Sequence, residues 1–384
     1  MEYELGVGRK VRWAYGFDDV TIATGTTIID PEDVDTSVRI GPFDLKIPVL
    51  SSSMDAATDV RIVGELGKLG GLGVLNIEGL YTRYEDPLEP LQTITKASTR
   101  PEAVAALQKV YSQPVQDSLV ARRVEEMKRA GTPFAVASLP ATAPKWAPIC
   151  KEAGCELFVV QSTVTTSKYI SSKREAVDLA QFCKSAGIPV IIGNCSTYEG
   201  ALDLMRLGAA AILVGIGPGA ACTSRRVLGI GVPQITATVD AAAARAVYHN
   251  ETGKYVSVIT DGGMRRGGDV TKAIAAGADA VMLGSPISSA KEAPGRGYNW
   301  GMATPNPELP RGDRVKTGTL GYLKEILFGP TSLNDGTMNL IGALRLAMSN
   351  CGAKTIADMQ KAELVLAPSV VTEGKALQFA QGGG

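Results

Sequence analysis

The chain has 384 residues, 39 basic and 39 acidic side chains, and so no formal net charge; this favours neither nucleic acid nor an anionic membrane as a partner. No run of 18 apolar residues offers a membrane-spanning helix, and the length is enough to bury a large core. One histidine, His249, and six cysteines without zinc spacing argue against a His-based triad or a His-rich metal site, so acid–base work falls to Asp, Glu, hydroxyls, Arg or water.

The N-terminal stretch MEYELGVGRK lacks a hydrophobic targeting segment, and the expectation is a cytoplasmic protein with reduced thiols. Eight short apolar runs follow, at 48–50, 72–75, 134–137, 157–160, 189–192, 211–214, 256–260 and 280–283. Residues 77–116 read as irregular and polar, and 117–130 as a helix before the third run. Amphipathic stretches at 172–186 and 197–207 read as helices between later runs. The small-residue segments 186–190, 208–212 and 277–281 read as helix-to-strand turns. Eight strand–helix units predict a parallel (β/α)8 barrel, in one domain over 1–384; a doubly wound sheet is the rival, and no early GxGxxG supports it. Residues 286–339 are Gly/Pro-rich with little periodicity and read as an active-site lid, and 373–384 as a flexible tail.

Barrel chemistry sits at the C-terminal ends of the strands, and polar residues do cluster there: 51–55, 161–163, 193–194, 261–263 and 284–285. After the sixth run, Gly215, Gly217, Gly219 and Pro218 precede Cys222. Such a loop can approach a ligand closely. Thr223 and Ser224 place hydroxyls beside the thiol, and Arg225 and Arg226 favour its thiolate, the nucleophilic form. The plain alternative is a small filler cysteine in a turn. Asp261 at a strand end suits a pair of ribose hydroxyls, because a carboxylate accepts only. A helix cap is its plain alternative.

The run GIGPGAACTSRRVLGIGVPQ (215–234) closely resembles the active-site loop of the IMP dehydrogenase / GMP reductase family, roughly GxGPGSxCxTR…GxGxPQ. VITDGGMRRGGDVTKAIAAGADAVMLGS (258–285) resembles that family's second hallmark, and SSSMDAATD (51–59) its SxxMDxVTE element. The resemblance implies that Cys222 adds to C2 of a purine ring, with Ser224 in proton transfer. It implies nucleotide contacts from Ser52, Met54, Asn194, Gly217, Gly219, Asp261, Gly262, Gly263, Gly284 and Ser285, and from Tyr298, Gly301 and Met302 of a YxGM-like element. Asp55 would buttress its loop. Gln161, Ser162 and Thr163 would meet a nicotinamide cofactor, and the carbonyls of Gly217, Gly219 and Cys222 would hold K+. A homotetramer or octamer is the implied assembly.

The departures are informative. Ala220 replaces a phosphate-binding serine, Ser224 a threonine, and Gln161 an aspartate. No regulatory insertion fits after the second strand. No Arg-Tyr pair, which activates water in the dehydrogenases, occurs in 303–320, and Arg311 stands where the family has a glutamate, with Glu308 the nearest carboxylate. These absences point to NADPH-dependent reductive deamination of GMP to IMP, with Glu308 assisting Ser224. The alternatives are oxidation of IMP to XMP with NAD, and a catalytically silent purine-nucleotide-binding regulator.

Overall fold

The computed structural model describes residues 2–172 and 175–367. Its centre is a ring of parallel strands: β1 (Val49–Ser51), β2 (Gly73–Asn76), β3 (Phe134–Ser138), β4 (Phe158–Gln161), β5 (Val190–Cys195), β6 (Ala211–Val214), β7 (Ser257–Asp261) and β8 (Ala280–Leu283). From β2 to β8 each strand pairs with the next, and β8 pairs with β1, Met282 opposite Leu50. A parallel bridge between Leu50 and Leu72 joins β1 to β2 and closes the (β/α)8 barrel.

The strands read as unbroken apolar runs because both faces are buried. In β6, Leu213 points into the barrel with Leu50, Val74, Val159, Ile191, Ile259 and Met282. Its neighbours Ile212 and Val214 point outward into the layer shared with the helices. Each fully buried aliphatic side chain contributes roughly 1.5–3 kcal/mol. A hairpin of Val38–Ile40 and Phe43–Leu45 adds Ile40 and Leu45 to the interior cluster, so this packed core has no pore.

Helices α1 (Val60–Lys68), α2 (Leu88–Lys96), α3 (Arg100–Tyr111) and α4 (Asp117–Arg129) follow the first two strands. The Asp59 side chain caps α1 by accepting from Ile62 N–H, and Ile62, Val63 and Leu66 form its buried stripe. Gly73 lets α1 lie against β2, since a Cβ there would meet Val63 Cα at 2.5 Å.

The structure departs from the sequence reading in three places. Residues 77–116 are not irregular but carry α2 and α3; Thr99 and Glu102 form a capping box that starts α3. The helix expected over 172–186 is the shorter Leu179–Ser185, begun by the Asp178 cap; 173–174 lie outside the described residues. The segment 286–339, read as a lid with little periodicity, carries regular elements. It holds an antiparallel hairpin, Tyr298–Trp300 with Arg314–Lys316, and helix Leu323–Phe328. The tail expected at 373–384 lies outside the described residues. No helix among the described residues is long and apolar enough to cross a membrane.

Asp279, before β8, concentrates polar order at the opposite end of the barrel from the strand C-termini. It pairs with Arg245 (Nη1–Oδ2, 2.6 Å) and accepts from Tyr255 Oη (2.6 Å), Val258 N–H (2.7 Å) and Gln360 Nε2 (3.0 Å). Removing one member of such a pair leaves a buried charge. Asp279→Ala is expected to cost about 3–5 kcal/mol, read as a lowered midpoint in urea unfolding. A midpoint equal to that of the unmodified chain would contradict this account.

Candidate active site

A cavity of ≈ 630 Å³ opens at the C-terminal ends of the strands, and every strand or the loop after it supplies part of its wall. That volume lies within the range of about 300–1,000 Å³ common for ligand sites. Ser52 and Met54 come from the β1 end, Gln161, Ser162 and Thr163 from β4, and Asn194 from β5. Gly217, Gly219 and Cys222 come from the β6 loop, Asp261, Gly262 and Gly263 from β7, and Gly284 and Ser285 from β8. Gly301 and Met302 close the mouth. Residues far apart in the chain therefore meet as the motifs imply.

Cys222 is half-buried, with Sγ 3.3 Å from the Ser224 hydroxyl, and Ser224 is wholly buried behind it. Arg225 straps the loop: its guanidinium donates to Ile216 O (3.0 Å) and Val232 O (2.7 Å). The other thiols are placed for packing. Burial pushes Cys155 and Cys195 up to about 12 and Cys183 to about 11, and raises Cys150 further still. All six cysteines are free.

Asp261 anchors a network across the barrel mouth. Its Oδ2 accepts from Asn194 Nδ2 (2.7 Å) and Gln161 Nε2 (3.0 Å). Gln161 Nε2 also donates to Asn194 Oδ1 (3.1 Å), and its Oε1 accepts from the Ser53 hydroxyl (2.7 Å). Burial raises the Asp261 carboxyl to about 6, against the lowering effect of the Asn194 and Gln161 bonds. Gly262 and Gly263 follow with φ of 81° and 83°, left-handed values that a side chain would strain. A Cβ at Gly263 would meet Pro218 Cβ at 3.0 Å, so these glycines also let the β6 and β7 loops touch.

Asp55 lies under the mouth. Burial raises it to about 6; opposing this, the Tyr111 hydroxyl (2.5 Å) and Leu80 N–H (2.7 Å) donate to Oδ2. This is the buttress expected of it.

Two expected site residues are not brought to the cavity. Glu308 is exposed, because the Asn306 side chain accepts from Glu308 N–H (3.0 Å) and Leu309 N–H (3.2 Å) and turns the segment outward. Tyr298 lies beneath the Arg314 guanidinium (4.4 Å to the ring centroid). It shares a strand face with buried Trp300, while Asn299 between them faces the cavity.

Glu78, Arg83 and Tyr111 enter the wall without having been expected there, and Arg311, which stands at the family's glutamate position, joins them. Arg311 is the most telling. Its carbonyl accepts from Thr223 N–H (3.2 Å), Asp313 N–H donates to Ala221 O (2.9 Å), and Gly312 bridges Cys222 antiparallel. Its Nη1 donates to Thr163 Oγ1 (3.3 Å), carrying the guanidinium from beside the cysteine to the β4 loop. The sequence signal was the basic residue at the family's glutamate position.

Among the described residues no group of three or more His, Cys, Asp or Glu gathers to hold a metal. For K+ the donors would be loop carbonyls, and one lone pair of Gly219 O is already taken by Cys222 N–H (3.1 Å). The second lone pair of that oxygen stays available to a cation.

The geometry agrees with comparisons against known proteins. The IMP dehydrogenase / GMP reductase domain matches residues 14–302. A Mycolicibacterium smegmatis protein called an uncharacterized oxidoreductase is 38% identical over 371 residues, covering 94% of this chain and 99% of its own. An inosine-5'-monophosphate dehydrogenase of Aquifex aeolicus is 36% identical over 229 residues, covering 55% of this chain and 44% of its own. The crystal structure of an IMP dehydrogenase/GMP reductase-like protein from Corynebacterium glutamicum superposes with a TM-score of 0.91 at 36% identity, over 95% of this chain and 97% of that one. The barrel, the cysteine loop and the carboxylate at the end of β7 thus belong to one lineage: the chain is a member of the IMP dehydrogenase / GMP reductase family of purine-nucleotide oxidoreductases.

Proposed function

We propose that this oxidoreductase converts IMP to XMP with NAD, and that Arg311 activates the water. The observation that carries the reading is the pairing of 311–313 with 221–223, which sets Arg311 beside Cys222 while Glu308 faces solvent. Both reactions of the family proceed through a bond between Cys222 Sγ and purine C2, and they diverge afterwards. Ammonia loss from GMP needs a proton donor at the leaving amine. Hydrolysis needs a group that orients water and stabilises the hydroxide character it develops.

The wall carboxylates are poorly free for proton donation. Asp261 sits in its amide network, and Glu78 accepts from Leu139 N–H (2.7 Å) and Trp146 Nε1 (3.2 Å). A guanidinium, protonated at all ordinary pH, is a poor proton donor but a strong fixed charge with several N–H groups to aim. The site therefore suits water addition.

In this reading Asp261 accepts the ribose hydroxyls, and backbone N–H groups at Gly262–Gly263 and Gly284–Ser285 meet the phosphate. Sγ bonds to C2, and C2 gives up a hydride with its electron pair. Water then adds to C2, the C2–S bond breaks, the thiol re-forms, and one proton is released overall. The wall at Ser162, Thr163 and Arg311 has hydroxyl and N–H groups suited to a nicotinamide ribose and amide. The cofactor, when bound there, supplies the hydride acceptor.

Reductive deamination of GMP with NADPH is the second reading. The Ser224 hydroxyl, 3.3 Å from Sγ, favours it as a relay for the ammonia proton.

The purified protein with IMP and NAD is expected to form NADH, and Cys222→Ala to abolish this. Arg311→Ala should lower kcat about 10²–10³-fold while a first-turnover burst of NADH persists, because hydride loss precedes water addition. NADPH consumption with GMP, lost in Cys222→Ala, together with no NADH from IMP, would establish the second reading instead.

The raised Asp261 carboxyl sets a pH dependence. Ribose hydroxyls are best accepted by the ionised form, which dominates above about 6. Below that pH the KM for nucleotide is expected to rise about tenfold per unit, with a plateau above it. Asp261→Asn should show a high KM with that limb flattened; retention of the limb would assign it to another group.

A further inference from the structure

We propose that α2 and α3 brace the hairpin that delivers Arg311, with Arg314 as the positioning residue. This rests on the role given to Arg311 above, but the contacts stand independently of it. Three residues after Arg311, the Arg314 guanidinium donates to Ile94 O (2.8 Å) and Thr95 O (3.0 Å) through Nη1 and to Ala97 O (2.8 Å) through Nη2. Ile94 and Thr95 are in the last turn of α2 and Ala97 follows it, where carbonyls have no partner within the helix and a cation is favoured. The same guanidinium stacks on Tyr298 of the facing strand, so one side chain ties both strands of the hairpin to α2.

Two more ties lie along α3. Arg100 in its first turn pairs with Asp313 (Nε–Oδ2, 2.7 Å); Arg100 is largely exposed, which makes this the weaker one. At the far end, Trp300 Nε1 donates to the Tyr111 hydroxyl (3.0 Å), which donates to Asp55 under the cavity. On its inner side the segment pairs with the cysteine loop at 221–223. The segment bearing Arg311 is thus held between the helices and the nucleophile. Arg314 and Arg100 are absent from the cavity wall, so neither touches a reactant. Their effect on chemistry passes through the placement of Arg311, where a shift of about 1 Å can cost roughly 100-fold in rate.

The test compares Arg314→Ala and the milder Arg314→Lys with the unmodified chain in two measurements. The first is rapid mixing with IMP and NAD. The brace predicts a normal burst of NADH, a steady-state kcat lower by about 10–100-fold in Arg314→Ala and by less in Arg314→Lys, and a kcat/KM for IMP within about twofold, KM falling with kcat because only the step after hydride loss is slowed. Burst rate and kcat falling together, or neither falling, would overturn it. The second is amide hydrogen exchange with no substrate present. Thr223 N–H and Asp313 N–H, which pair the two segments, should exchange at least about tenfold faster in Arg314→Ala while the β4 and β5 amides keep their protection. Unchanged exchange at both would overturn the brace whatever the reaction. If the unmodified chain makes no NADH from IMP, the dehydrogenase reading fails, and exchange alone decides the brace.

Discussion

The mouth of the barrel must hold a carboxylate where water is largely excluded, and the rest of the site is arranged around that constraint. Burial alone would neutralise Asp261; donors from β4 and β5 offset part of the cost. Gln161 and Asn194 need fixed positions to do so, and these come from parallel strands whose inner and outer faces are both packed. An aspartate at 161 would set a second carboxylate close to the first. The amide at this position donates to the one charge instead and, through its Oε1, ties Ser53 of the β1 loop into the network. Gln161 thus supports the Asp261 carboxylate while it also lines the cavity.

The same logic of remote support recurs on the other side of the cavity. The cysteine loop is short of regular structure and rich in glycine, so its geometry comes from outside: Arg225 straps its flanks, and the 311–313 segment pairs with its tip. That segment is in turn fixed by α2 and α3. The helices fill the stretch between β2 and α4 and keep it against the hairpin that borders the cavity.

Much of this was legible in the sequence, for physical reasons. The run 211–214 is apolar without alternation because Leu213 faces the barrel and Ile212 and Val214 face helices, and the same double burial marks the other strands. Gly187, Gly208 and Gly277 occupy the expected helix-to-strand turns with positive φ. The errors concern long-range contacts or local caps given too little weight. Thr99 and Glu102 spelled a helix start, yet the surrounding polarity hid α3. Glu308 was favoured for its nearness in sequence, whereas the Asn306 turn decides where it points. The family's glutamate position singled out Arg311, but nothing local to PRGDR announces the backbone pairing of 311–313 with 221–223, which comes from the fold.

The distribution of sulfur carries a consequence for oxidative chemistry. Cys150, Cys155 and Cys195 are enclosed among aliphatic side chains, where the anionic form that oxidants attack is penalised. Cys222 instead lines the open cavity. A small oxidant entering that cavity meets Cys222 before it meets the core thiols, so under the proposed chemistry turnover would be lost while the barrel remained intact. Sulfenic acid at this position would be a reversible off state, and bound nucleotide, by covering the sulfur, would shield it.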